Sequence, residues 1–216
     1  MTERHLSVQR TARVYTLGED VPAGDVQEVW IVCHGYGQAA RFFLWHFREL
    51  VDGRRRIVAP EALSRFYLSH ETGRVGATWM TKEDRTHEID DYVGYLDAIA
   101  GLALGDLDRS AVRLGVLGFS QGATTVCRWL ERGQTRADRL ILWAGNLPHD
   151  YDWGARADVL RQTGITFVVG RDDEYISEEH VASVQSLLAS HDVPHDVVYF
   201  DGGHRLNAEV LRRVMG

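Results

Sequence analysis

The run Val112-Arg-Leu-Gly-Val-Leu-Gly-Phe-Ser-Gln-Gly-Ala-Thr-Thr125 places the strongest single constraint on the fold. Val112, Leu114, Val116 and Leu117 read as a buried strand, while Ala123, Val126, Cys127 and Leu130 recur at helical spacing up to a C-cap position at Gly133. Strand and helix meet inside Gly118-Phe-Ser-Gln-Gly122, which leaves no length for a loop. A turn that sharp holds Ser120 in strained backbone geometry and brings chain so close on either side that glycine is favoured at 118 and 122. Its hydroxyl is left exposed at the positive end of a helix.

The rest of the chain repeats the alternation. Residues 5–17 are strand-like, with Leu6, Val8, Ala12 and Val14 in one phase, and are expected to form an edge strand or hairpin. Glu28-Val-Trp-Ile-Val-Cys33 is a continuous apolar run, the pattern of a strand covered on both faces, and it ends in His34-Gly-Tyr-Gly37. Helical periodicity over 38–50 and a short strand over 56–60 follow; the triplet Arg54-Arg-Arg56 reads as a solvated turn. Residues 61–85 form the longest irregular stretch, with Phe66, Tyr67 and Trp79 placed as a substrate-facing wall.

A long helix is expected over 86–104 with Thr86 as N-cap, then strands at 138–144, 165–169 and 195–200. Helices are expected around 155–162, after Ser177 to 189, and over 208–215. Strands and helices in this order predict one α/β domain over residues 1–216, with a mostly parallel central sheet and right-handed crossovers. A chain of 216 residues is long enough to bury such a core alone.

The net charge of -7, with the basic residues scattered, excludes a nucleic-acid footprint. Cys33 and Cys127, the two cysteines, lack metal or disulfide spacing and read as free thiols in a reducing compartment. No apolar signal segment or membrane-length span is present, so a soluble cytoplasmic protein, monomeric or homodimeric, is expected. The ten histidines show no H-E-x-x-H or comparable spacing, and neither a metal nor a cofactor is expected.

In a parallel sheet the loops after the strands' C-terminal ends open on one edge. The loops at 34–37, at Ser120, at 170–174 and at 202–204 therefore face a common site. A serine hydroxyl is a weak nucleophile at neutral pH and needs a base, which in turn needs a carboxylate to set its tautomer. The chain order Ser120, acid, His204 meets that need. Asp172 and Asp173 are adjacent, so only one can face His204, and Asp173 is favoured. The backbone N–H groups of Gln121 and, from the 34–37 loop, Tyr36 are the candidate donors to an oxyanion.

Five motifs in order, His34-Gly-Tyr-Gly37, Gly118-Phe-Ser-Gln-Gly122, Gly145-Asn-Leu-Pro148, Gly170-Arg-Asp-Asp173 and Gly202-Gly-His204, resemble the phospholipase/carboxylesterase family of small α/β-hydrolases, which includes the acyl-protein thioesterases. The resemblance implies an α/β-hydrolase fold, and 216 residues leave no room for a large lid domain. It implies a Ser120-His204-Asp173 triad and an oxyanion site at Tyr36, where the family usually carries an aliphatic residue, and Gln121. Trp79, Met80, Leu147 and Ile176 are the loop hydrophobes expected to shape the acyl pocket. The expectation is a cofactor-independent carboxylesterase acting on a small-molecule or lipid-like ester. Thioester or lysophospholipid hydrolysis would use the same groups, and a binding protein on a hydrolase fold is the remote alternative.

Overall fold

The computed structural model describes residues 1–105 and 107–216. In chain order the strands are β1 (Val14–Leu17), β2 (Glu28–Cys33), β3 (Arg55–Pro60), β4 (Ser64–Ser69), β5 (Arg74–Thr78), β6 (Arg113–Phe119), β7 (Arg139–Trp143), β8 (Ile165–Gly170) and β9 (His195–Phe200). The α-helices are α1 (Ala40–Leu44), α2 (Arg85–Leu104), α3 (Gln121–Arg132), α4 (Trp153–Thr163), α5 (Glu178–Ser190) and α6 (Ala208–Met215). Seven strands form one sheet in the order β1-β3-β2-β6-β7-β8-β9. Only β1 runs antiparallel, pairing Val14 with Pro60 and Leu17 with Ile57 of β3.

The sheet is covered on both faces, which is why its central strands read as unbroken apolar runs. Successive side chains of β2 point to opposite sides. Val29, Ile31 and Cys33 join the buried cluster that contains Leu96 of α2, Trp129 of α3, Leu160 of α4 and Leu188 of α5. Trp30 and Val32 join the other, with Phe43 of α1, Phe47, and Leu211 and Met215 of α6. The cap expected at Ser177 is present, accepting from the His180 N–H, and α6 has a further one in Asn207, which accepts from the Val210 N–H.

Several local expectations are corrected. The alternation over 5–17 yields a strand only at Val14–Leu17, since Leu6 and Val8 are 86% and 77% exposed and have no layer to pack on. The helix expected over 38–50 divides into α1 and a 3₁₀ segment, Trp45–Leu50. The arginine triplet is no solvated turn: Arg55 lies in β3, is buried, and donates through Nε (3.0 Å) to Glu28, itself buried at the start of β2. Pairing with a carboxylate 27 residues away allows the guanidinium to leave water. Within 61–85 the chain forms the antiparallel hairpin β4–β5, and α2 begins at Arg85, after Asp84 in left-handed conformation (φ 46°), instead of at a Thr86 cap.

Candidate active site

The turn between β6 and α3 has the geometry its glycines demand. Ser120 has φ 54° and ψ -118°, a conformation that L residues rarely adopt, and its N–H donates to Trp143 O (2.9 Å). A Cβ on Gly118 would press on the Gly122 carbonyl, and one on Gly122 on the carbonyls of Cys33 and His34. The tight packing of α3 against the end of β2 therefore depends on missing side chains, and it holds Ser120 at the sheet's C-terminal edge.

Two loops bring the acid and the base to it. Past β8 and β9 the chains bond to each other, with Arg171 N–H donating to Phe200 O (2.9 Å) and Asp172 N–H to Gly202 O (3.0 Å). Gly170 lies so near the carbonyls of Gly202 and Gly203 that a Cβ there would clash. This contact sets Asp173 against His204. Its carboxylate lies 3.1 Å (Oδ1) and 3.0 Å (Oδ2) from His204 Nδ1, and His204 Nε2 is 2.9 Å from Ser120 Oγ.

The Asp173 side chain is 0% exposed, and its Oδ1 also accepts the N–H groups of Tyr175 (2.9 Å) and Ile176 (3.2 Å). A carboxylate can only accept, so His204 carries its proton on Nδ1 and presents Nε2 as an acceptor to the serine hydroxyl. The rings of Phe119 (5.1 Å) and Tyr175 (4.7 Å, edge-on) flank the imidazole. Asp172 is exposed, in keeping with the opposite directions of neighbouring side chains.

Beside the serine, the 34–38 loop is tied down through three of its amides. Gly35 N–H donates to Gln38 Oε1 (2.8 Å), Gly37 N–H to Ala77 O (2.9 Å) and Gln38 N–H to Gly35 O (3.3 Å). Among the described residues the Tyr36 N–H has no such acceptor, nor has that of Gln121 at the first turn of α3. His34 anchors the loop from beneath: it is fully buried, with Nδ1 donating to Gly35 O (2.7 Å) and Nε2 accepting from Ala62 N–H (3.1 Å). Burial lowers its pKa, outweighing the adjacent Gly35 carbonyl and Glu61, so the ring stays neutral as both bonds require.

The four expected pocket residues all lie in or against one core cluster. Trp79 is 3% exposed and belongs to the core, its indole N–H donating to His34 O (2.8 Å). Ile176 is 5% exposed and likewise packs in the core. Met80 and Leu147 are partly buried against that core. Hydrogen bonding to backbone beside the site, more than contact with a cavity, is what Trp79 and Met80 share: the Gln121 side chain accepts from Trp79 N–H (3.1 Å) and donates to Met80 O (2.9 Å). Sequence reading missed these supports, of which only the intact Gly-x-Ser-Gln-Gly pattern carried a trace.

Behind Met80 lies a charge cluster that sequence reading also missed. Arg128, 4% exposed, donates through Nε (3.0 Å) and Nη2 (2.8 Å) to Asp150, which also meets Arg85 (2.8 Å) and Arg132 (2.9 Å). Desolvation alone would raise the Asp150 pKa, but hydrogen bonds from Arg128 and Arg85 outweigh it and hold the carboxyl well below the usual range. Among the described residues one set of possible metal donors occurs, His5, Asp84 and His87; it is exposed and shares no residue with the site.

A mostly parallel sheet with helices on both faces and a serine at the strand-to-helix elbow defines the α/β-hydrolase fold. The model of the family described as "Serine hydrolase (FSH1)" matches residues 30–209, and the chain belongs to that family. Solved structures share the fold at low identity. A carboxylesterase from Mesorhizobium loti is 17% identical with a TM-score of 0.73, covering 94% of both chains. Acyl-protein thioesterase 2 from Zea mays is 17% identical at TM-score 0.69, covering 95% of this chain and 100% of its own. The Bacillus cereus carboxylesterase is 13% identical at TM-score 0.67, covering 94% and 91%. These are the small α/β-hydrolases that the five motifs resemble. No curated protein matches the sequence significantly.

Proposed function

We propose that this serine hydrolase is a carboxylesterase that works through an acyl-enzyme, with Ser120 as nucleophile, His204 as general base and acid, and Asp173 as its orienting carboxylate. The observation that carries the reading is the unbroken chain of contacts from Ser120 Oγ through His204 to Asp173, on a serine held at φ 54°. His204 Nε2 takes the hydroxyl proton as Oγ attacks the ester carbonyl, and Asp173 stabilises the imidazolium that forms. The oxyanion is received by the N–H groups of Tyr36 and Gln121, neither of which has another acceptor among the described residues. His204 passes the proton to the leaving alcohol, and a water activated by the same ring then releases the acid.

No helix among the described residues is long and apolar enough to cross a membrane. We assign the protein to a reducing compartment such as the cytosol, since Cys33 and Cys127 are buried free thiols and burial raises both pKa values. The test is kcat/KM on p-nitrophenyl esters from acetate to palmitate, for wild type and Ser120→Ala. Loss of the nucleophile lowers kcat by about 10⁴-fold or more and abolishes labelling by a fluorophosphonate. Full activity in the variant would overturn the mechanism. Matched thioesters separate esterase from thioesterase with the same protein.

A further inference from the structure

A groove of about 730 Å³ lies against the same edge of the sheet as Ser120, on the far side of the 34–38 loop. One wall is shared: an added Cβ on Gly35 would lie 3.2 Å from Ser120 Cβ, while Gly37 and Gln38 line the groove. Its other walls come from the start of β1, from the residue after β3, from α1 and from the β4–β5 hairpin. The volume falls within the range of small-molecule sites.

The charge of this groove is opposite to that of the protein. Its lining carries four arginines, Arg13, Arg41, Arg65 and Arg74, against one carboxylate, Glu61, an excess of three positive charges in a chain of net charge -7. Glu61 is 3% exposed and already occupied, by Arg13 through Nε (2.9 Å) and Nη2 and by Arg65 at 3.5 Å. Arg41 lies over the Phe42 ring (4.3 Å); neither it nor Arg74 meets a carboxylate among the described residues. His46 adds no charge near pH 7, because burial, aided by the Arg48 charge, lowers its pKa. Between these cations the surface is apolar, with Phe42, Leu68 and Val75 exposed at 63%, 40% and 39%.

Guanidinium forks beside apolar surface match a carboxylate or phosphate carried on a hydrocarbon chain. We infer that this groove seats an anionic group of the substrate, so that the enzyme selects esters bearing a negative charge at a distance from the scissile bond. The inference rests on the hydrolase reading above. The distance follows from the sheet: β3 stands two strands from β6, with β2 between them. At ~4.8 Å per strand the β3 side of the groove lies roughly 10 Å across the sheet from the strand that carries Ser120.

Two matched series distinguish which half of the ester carries the charge. In one, p-nitrophenyl monoesters of α,ω-diacids are compared with neutral p-nitrophenyl alkanoates of equal length. In the other, butyrate esters of ω-hydroxy acids are compared with butyrates of the corresponding alcohols. In one series the anionic member has the lower KM by about tenfold once the chain spans the groove, and the advantage shrinks at high salt. Arg41→Gln combined with Arg74→Gln lowers the anionic-to-neutral ratio of kcat/KM by about tenfold.

Calorimetric titration of dodecanedioate into the Ser120→Ala protein reads the groove without turnover, and the same two substitutions weaken that binding about tenfold. Neutral esters hydrolysed with no anionic preference in either series, or a preference that survives the double substitution, would overturn the groove and leave the hydrolase intact. Dodecanedioate binding without Ser120-dependent hydrolysis would do the reverse.

Discussion

Asp173→Asn separates positioning chemistry from folding, because the two carboxylate oxygens have different partners. Oδ1 accepts two backbone N–H groups, from Tyr175 and Ile176, and lies 3.1 Å from His204 Nδ1, whereas Oδ2 has that Nδ1 as its one partner, at 3.0 Å. An asparagine must place its carbonyl oxygen at the Oδ1 position, since the flipped amide would leave two buried N–H donors facing a third, at about 1–3 kcal/mol each. The amide NH₂ then points at His204 Nδ1. Donor against donor drives the imidazole to the other tautomer, with its proton on Nε2, where it can no longer accept from Ser120.

The expected loss is ~10⁴-fold in kcat, roughly 5 kcal/mol of transition-state stabilisation at 1.36 kcal/mol per decade. Folding stability falls by no more than about 2 kcal/mol, because both backbone bonds survive. The assay is kcat on p-nitrophenyl butyrate beside urea denaturation. The exposed Asp172→Asn serves as control, with little expected change. Asp173→Asn keeping kcat within tenfold of wild type, or Asp172→Asn falling in its place, would refute the tautomer argument.

Gly122→Ala is expected to cost about 1–3 kcal/mol, read from the urea midpoint, since its Cβ meets the rigid carbonyls of Cys33 and His34; an unchanged midpoint would mean that α3 can shift from β2 freely. Glu28→Ala leaves Arg55 buried without its carboxylate and should lower stability by about 3–5 kcal/mol, checked by the same denaturation. Asp150→Asn should lower stability at pH 7. Because the folded carboxyl is depressed, its contribution is complete above the unfolded pKa of about 3.9, shrinks below it and is lost only as pH falls through the folded value, so the stabilities of the two proteins should begin to converge only below about pH 4.

The parts legible in the sequence share a property: each is enforced over a few neighbouring residues. The elbow could be read because strand, serine and helix follow one another within a few positions and Gly118 answers to the Gly122 carbonyl one turn on; that Gly122 answers in turn to the Cys33 and His34 carbonyls only the fold shows. The cap at Ser177 could be read for the same reason. Alternation misled at Leu6 and Val8, where a period-two pattern has no layer to cover it. Residues 61–85 hid a hairpin because β4 leaves Arg65, Tyr67 and Leu68 exposed and offers no apolar run.

Sequence alone determined the order of strands and helices outside residues 61–85, the strained serine at 120 and the three residue types that the chemistry calls for, since backbone sterics and hydrophobic period act within a few positions. Only the tertiary structure decided which partners those residues meet. Asp173 was one of two adjacent aspartates until the bonds between the 170–172 and 200–202 segments turned it onto His204. Arg55 was one of three arginines until Glu28 approached it, and Trp79 passed for a pocket wall until its indole reached the His34 carbonyl. The four arginines of the groove lie between positions 13 and 74 and come together only where β1, α1 and the hairpin converge. Electrostatic and hydrogen-bonded pairing depends on distance in space, and a sequence records only distance along the chain.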